Sequence, residues 1–362
     1  MVAVESSPLY NRRYVALGGG TGLFYVLRGA VDLVNSDGIV AIPGTWDDGG
    51  STGQLRTDLG ILPPGDPRRC VVALMPTDKA REIALEIFEK RPRKHPIGNL
   101  LLAELNRYDP GNFLEAAKEL FSLKGAIYPV TLNPTKLIFK DVNGREERGE
   151  HQLDERKRIG TPSSRPRITS VGFANRPRTN PRAIEAIKNA DKLIISMGSL
   201  FGSILPHFRV PGVREAILES KAELFYVMNL MTEAGQTDQF SAADHLRHIV
   251  RGIGDPSRLD YIVVSDQRYI RVNGKRLAVG PGLTGVDKHS QLETLVRYEE
   301  ENQNPVQVNE TELLRIAPKA KILKVGARVY EPQNLIRHDH EELTQVIVSP
   351  DQVQSEYIKQ SQ

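Results

Sequence analysis

Two adjacent carboxylates, Asp47 and Asp48, stand directly before Gly49-Gly50-Ser51-Thr52-Gly53. Such a pair can hold a divalent cation, or the hydroxyls of a ribose or substrate. Gly49, Gly50 and Ser51 can offer N–H and hydroxyl donors to phosphate. Plain turn chemistry is the competing account, since Asp-Gly is a common turn pair. Trp46 and a double aspartate weigh against a mere turn. A second stretch, Gly18-Gly19-Gly20-Thr21-Gly22, lacks Cβ atoms at four of its positions and opens a helical pattern. Its free N–H groups and the positive helix end suit an anion. A tight strand-to-helix turn without ligand is the alternative. The pattern is neither GxGxxG nor a Walker loop, because no Lys-Ser/Thr follows. Gly198, Ser199 and Ser203 form a third candidate phosphate loop. Asn229, Thr232 and Asp238 belong to a fourth polar loop. Asn99, at a helix start, can present an amide to a ligand or act only as an N-cap.

Each of these loops follows a short apolar run: Tyr14–Leu17, Gly38–Pro43, Leu193–Met197 and Glu223–Leu230. Runs of this kind suit strands buried on both faces. Ile168–Ala174, Asp260–Ser265 and Ala320–Val325 continue the series, and helical periods alternate with them. The order predicts an α/β doubly wound fold with a mainly parallel sheet. Its ligand crevice would lie at the carboxyl ends of the strands. Asn143-Gly144 and Asn273-Gly274 predict β-hairpin insertions. Residues 145–168 are dense in charge and predict a solvated, mobile insertion. Asp66 is expected to cap a helix with Pro67 in its first position. Arg68 or Arg69 would then face an anion or solvent. His245 and His248 share a helix face without a zinc partner set, so packed or solvated histidines are expected.

The 362 residues carry a net charge of +3, too little to argue for nucleic acid or membrane. No run approaches the roughly 18 apolar residues of a membrane span, and the N-terminal stretch has no signal-peptide core. Cys70 is the one cysteine, which fits a reducing, cytoplasmic setting. Its apolar neighbours predict a buried thiol. Residues 1–11 are expected to be a disordered tail, 12–345 one domain and 346–362 a frayed end. A homo-oligomer is compatible with all of this.

The chain resembles the 2-phospho-L-lactate transferase superfamily, most closely its gluconeogenesis-factor branch (uncharacterised protein family 52). The resemblance rests on Gly18–Gly22, on Asp47–Gly53 and on Leu59-Gly-Ile-Leu-Pro-Pro-Gly-Asp66. His95-Pro-Ile-Gly-Asn99, Gly198-Ser-Leu-Phe201, Ser203-Ile-Leu-Pro206, Asn229-Leu-Met-Thr232, Gly235 and Thr237-Asp238 add to it. It implies a single Rossmann-like three-layer αβα domain with a nucleotide-type site. For this branch it implies binding of a UDP-sugar, in particular UDP-N-acetylglucosamine, and control of carbon flux, wall-precursor supply and cell shape. Tyr298 and Arg337 look like the branch's sugar-nucleotide tyrosine and tail arginine. The transferase branch instead moves a phospholactyl group onto a deazaflavin, with Mg²⁺ held by aspartate, here Asp47 and Asp48. Three departures stand out: Met197 where the family usually has proline, Pro43-Gly44-Thr45-Trp46 in place of an apolar run, and long insertions near 145–168 and 270–277.

Two functions follow as expectations. One is a nucleotide-sugar-binding regulator without turnover. The other is a Mg²⁺-dependent transferase of a phosphorus-containing group, for which no catalytic residue is assigned. No histidine or lysine adjoins the glycine loops in sequence as a base. A nicotinamide dehydrogenase is disfavoured because GxGxxG is absent.

Overall fold

The computed structural model describes residues 11–158, 160–265, 269–272, 275–278, 288–330 and 335–351. The chain divides into two compact units, residues 1–155 with 168–223, and residues 156–167 with 224–362. In the first unit the parallel strands are β1 (Tyr14–Gly18), β2 (Ile39–Pro43), β3 (Ala126–Ile127) and β7 (Lys192–Ile195), in the order β7-β1-β2-β3. β1 is buried along its whole length, as its unbroken apolar run requires. Leu17 pairs with Ile42 on one side and Ile195 on the other. The second unit has the parallel order β12-β9-β8, from β8 (Glu223–Val227), β9 (Tyr261–Ser265) and β12 (Lys321–Val325). Seven parallel strands flanked by helices make this a Rossmann-like α/β fold.

The first unit also holds a small antiparallel sheet, β5-β4-β6, from β4 (Leu137–Asp141), β5 (Glu146–Arg148) and β6 (Ile168–Phe173). The Asn143-Gly144 turn is present, and the Asp141 carboxylate accepts the N–H groups of Asn143 and Arg145. β6 corrects an expectation, because it pairs antiparallel with β4 rather than joining the parallel series. Its burial is mixed, with Ile168 and Val171 buried and Thr169 exposed, and an irregular register opposite Lys140 and Asp141 lets these two apolar residues, three apart, both be buried.

Among the described residues, the charged insertion keeps most of its charged side chains exposed but buries Leu153 and Arg156. Helix Glu150–Glu155 buries Leu153 completely. Arg156 is 4% exposed and donates to the carbonyls of Gly235 and Pro166. A guanidinium that spends its donors on carbonyls can be buried without a carboxylate partner. Helix Gly65–Ala73 has Pro64 as its N-cap, earlier than expected, so Asp66 lies inside its first turn and is not the cap.

In the second unit, helix Ala242–Ile253 opens with the Ser241/Asp244 capping box. His245 is buried edge-on to Phe240, and His248 stacks on the same ring. Burial lowers the pKa of both, so they are packed, neutral groups. β10 (Tyr269–Val272) pairs with β11 (Lys275–Ala278), while the Asn273-Gly274 turn lies outside the described residues. β13 (Ala327–Tyr330) pairs with β14 (Leu335–His338), and helix His340–Val348 follows, capped by Asp339. Among the described residues, no helix is long and apolar enough to cross a membrane.

Candidate functional site

In the first unit, β1, β2 and β7 run in parallel and deliver their following loops to the same sheet edge. Gly18 ends β1 and helix Gly20–Ala30 begins at once, with Gly19 as its N-cap. Thr21 is exposed, while Gly19, Gly20 and Gly22 are buried. The absence of a side chain matters most at Gly22, where a Cβ would lie 1.8 Å from the Met197 carbonyl oxygen at the end of β7. Gly20 backs onto Asp66. A Cβ there would lie 2.7 Å from Asp66 Cα, and the Gly20 N–H donates to the Asp66 carboxyl.

Asp66, expected as a helix cap, is instead a functional candidate. Burial pushes its carboxyl up to about 7, and the neighbouring Asp47 charge adds to the shift. The Gly20 N–H, Arg69 and Arg68 work against it. Asp47 is also raised, first by burial and further by Asp48 and Asp154, against the Gly49 N–H and the Thr52 hydroxyl. The Gly49 N–H reaches Asp47 Oδ1 at 2.9 Å. Asp48 has its Oδ1 on the His151 N–H at 2.9 Å. Glu150 extends one carboxylate oxygen toward Gly49 and the other toward Gly202. Arg56 is the cation beside the double aspartate, with its guanidinium turned to the Trp46 and Asp47 carbonyls. The loop is therefore acidic, and an anion would sit here only with a proton or cation to offset the carboxylates.

Trp46 is explained by packing. It is 2% exposed, its indole N–H donates to the Gly202 carbonyl, and His207 meets its ring edge-on. Burial lowers His207 to about 4, and its ring nitrogens face the Ser203 and Ile42 carbonyls. Gly50 is exposed and Ser51 half-buried at the start of helix Gly50–Leu59. Ser51 Oγ meets His95 Nδ1 at 2.8 Å and Asn99 Nδ2 at 3.2 Å. This corrects the expectation that no histidine stands beside the glycine loops, for the fold brings His95 there. Asn99 lies inside helix Ile97–Tyr108, whose N-cap is Pro96.

Ser199 spends its hydroxyl oxygen on the Gly202 N–H, capping the helical turn Leu200–Ile204, with Gly198 half-buried before it. Arg68 turns to Glu89 at 2.8 Å and to the Phe88 carbonyl, and Arg69 also pairs with Glu89. Cys70 is buried, which raises its thiol pKa well above the ordinary value.

The second unit holds the remaining predicted residues. Asn229 is half-buried just past β8. Thr232 is locked to Asn304 through a pair of hydrogen bonds of 2.7 and 2.9 Å. Asp238 places both oxygens 2.9 Å from Arg165 Nη1 and accepts the Gly235 N–H. Tyr298 is 4% exposed, and its hydroxyl takes hydrogen bonds from the Ile336 N–H at 3.1 Å and from Arg337 at 3.3 Å.

Residues 14–324 match the family model of 2-phospho-L-lactate transferase CofD. The chain belongs to this family. Within it, a provisionally named gluconeogenesis factor of Aquifex aeolicus is 35% identical over 92% of this chain and 95% of its own length. One of the same name in Thermotoga maritima is 30% identical over 92% of this chain and 98% of that protein. A crystal structure of a family 52 protein from Bacillus halodurans superposes with a TM-score of 0.76 at 28% identity, covering 93% of this chain and 99% of that one. The family resemblance drawn from the glycine and aspartate motifs is thus shown, and so is the fold. Asp66 and His95 lay inside quoted family motifs, so a signal for both was present. Their spacing from Asp47 and Ser51 along the chain hid that proximity.

Proposed function

We propose that the protein binds a nucleotide sugar of the UDP-N-acetylglucosamine type and acts without turnover as a regulator of carbon flux, wall-precursor supply and cell shape. The observation that supports this most is the hydrogen bond between Arg337 and the Tyr298 hydroxyl. These are the residues that the family resemblance marks for sugar-nucleotide contact. They are distant in sequence yet meet through this bond, with Tyr298 packed in a hydrophobic cluster with Leu230, Leu295, Val329 and Ile336. The half-buried phosphate-donor candidate Ser51 and the relatives' name agree with the reading. The same reading sets the protein in the cytoplasm, where Cys70 stays reduced, and admits a homo-oligomer. UDP-N-acetylglucosamine should raise the melting temperature, since a ligand that binds only the folded state at 100 times its Kd adds about 2.7 kcal/mol. No shift at millimolar ligand would refute the reading.

A second reading, a Mg²⁺-dependent transferase of a phosphorus-containing group, is favoured by the raised pKa values of Asp47 and Asp66. Crowded carboxylates of this kind fit a cation. Among the described residues, no three His, Cys, Asp or Glu side chains are grouped to hold a metal. Asp47, with Asp48 or Asp66, would therefore hold the ion together with phosphate and water oxygens. The ion would supply charge neutralisation to the transferred group. In this chain Ser51 and the first N–H groups of helix Gly50–Leu59 would orient the phosphate. Asp47→Asn and Asp48→Asn should abolish Mg²⁺-dependent transfer while leaving sugar-nucleotide binding mostly intact.

A further inference from the structure

The Ser51 hydroxyl has one proton to give and two lone pairs to fill. Asn99 Nδ2, which can only donate, fills one lone pair from 3.2 Å. His95 Nδ1 lies 2.8 Å away on the same oxygen. If the Ser51 proton went to His95, the hydroxyl would have no donor left for an anion. If Nδ1 carries the proton, both lone pairs are filled and the Ser51 O–H must point elsewhere. Ser51 is the second residue of a ten-residue helix whose N-cap, Gly49, makes no side-chain capping bond. The N–H groups of that first turn and the Ser51 hydroxyl would then converge on one anion.

A separate feature points to a ligand at the same place. Asn99 is 2% exposed, and among the described residues its Oδ1 has no hydrogen-bond partner. The planar amide that sets Nδ2 on Ser51 holds Oδ1 beside the same helix start. A buried acceptor left unmatched is destabilising. A ligand hydroxyl or amide N–H would satisfy it.

We propose that Asn99 and Nδ1-protonated His95 are positioning residues that make Ser51 a fixed hydrogen-bond donor to the phosphate of the ligand. The inference rests on the proposed binding of a phosphorylated ligand at this loop. It narrows the ligand to a phosphate ester with a hydroxyl or amide N–H close to the phosphate. His95 acts through Ser51 and need not touch the ligand.

The test is calorimetric titration of the full chain with UDP-N-acetylglucosamine, joined to ¹⁵N NMR of the His95 ring. His95→Asn keeps an amide donor near the Nδ1 position, whereas His95→Leu removes it. His95→Leu and Ser51→Ala should each weaken binding at least tenfold, and their combination should weaken it no further. His95→Asn should stay within about threefold of the wild type. The NMR spectrum should show the proton on Nδ1, with or without ligand. Equal losses for His95→Leu and His95→Asn, or an Nε2–H tautomer, would overturn the inference. Failure of the wild type to bind at all would instead overturn the nucleotide-sugar reading, with the NMR result still deciding the state of His95.

Discussion

Asp66 sets its carboxyl against the N–H of Gly20, so the positive end of helix Gly20–Ala30 already faces an internal acid. Burial and Asp47 push that acid from its ordinary 3.8 up to about 7. Between about pH 4 and 7 the folded chain keeps a proton that the unfolded chain has released. Stability is therefore expected to fall as pH rises through this window, and to level off above it. Asp66→Asn should remove most of that slope and be more stable than the wild type at pH 8, by on the order of 2–4 kcal/mol. Urea denaturation at pH 4, 6 and 8 checks this; parallel slopes for the two proteins would contradict it.

Tyr298→Phe takes away the acceptor of the buried Ile336 N–H and a partner of Arg337. An unmatched buried donor costs about 1–3 kcal/mol. Thermal melts should show a loss of several degrees, and titration should show weaker UDP-N-acetylglucosamine binding. An unchanged affinity would take Tyr298 out of the site.

The Arg165–Asp238 pair is nearly dry, with side chains 4% and 9% exposed. Asp238→Ala should destabilise the protein by about 3–5 kcal/mol, because it removes the carboxylate that pairs the buried Arg165 charge, leaving it with the Lys157 and Gly160 carbonyls, and takes the acceptor from the Gly235 N–H. Glu82→Gln, which breaks the solvated Lys79–Glu82 pair, should cost no more than about 1 kcal/mol. Similar values from chemical denaturation would show that the buried pair matters less than its burial implies.

Gly22→Ala would push a methyl group into the Met197 carbonyl, 1.8 Å away. The β7 loop has to move, and a loss of about 1–3 kcal/mol or more is expected. Gly172→Ala is the control, since a Cβ there meets nothing within 4 Å. It should be neutral within about 0.5 kcal/mol. Melting curves of the two variants separate close approach from a general intolerance of glycine replacement.

Much of the parallel architecture was legible because its signals are local. The runs at Tyr14–Gly18, Ile39–Pro43 and 193–195 are apolar, and each leads to a polar turn. The Asn143-Gly144 turn and the Ser241 cap likewise act within a few residues of themselves. β6 was misplaced because a short apolar run does not say which strand it will pair with. The exposed charges of the insertion were legible too, but the burial of Arg156 was not, because its guanidinium donates to the distant Gly235 carbonyl as well as to that of Pro166.

Residue types and short-range order thus set where strands end, where glycine lets the backbone turn and which family the chain joins. The polar partnerships came from the folded chain alone. Ser51 reaches His95 across 44 residues, Asp238 reaches Arg165 across 73 and Arg337 reaches Tyr298 across 39. A hydroxyl or carboxylate carries no address along the chain. The partner it meets, and so whether it binds, caps or carries an unusual proton, depends on which strands lie side by side and how much water they exclude.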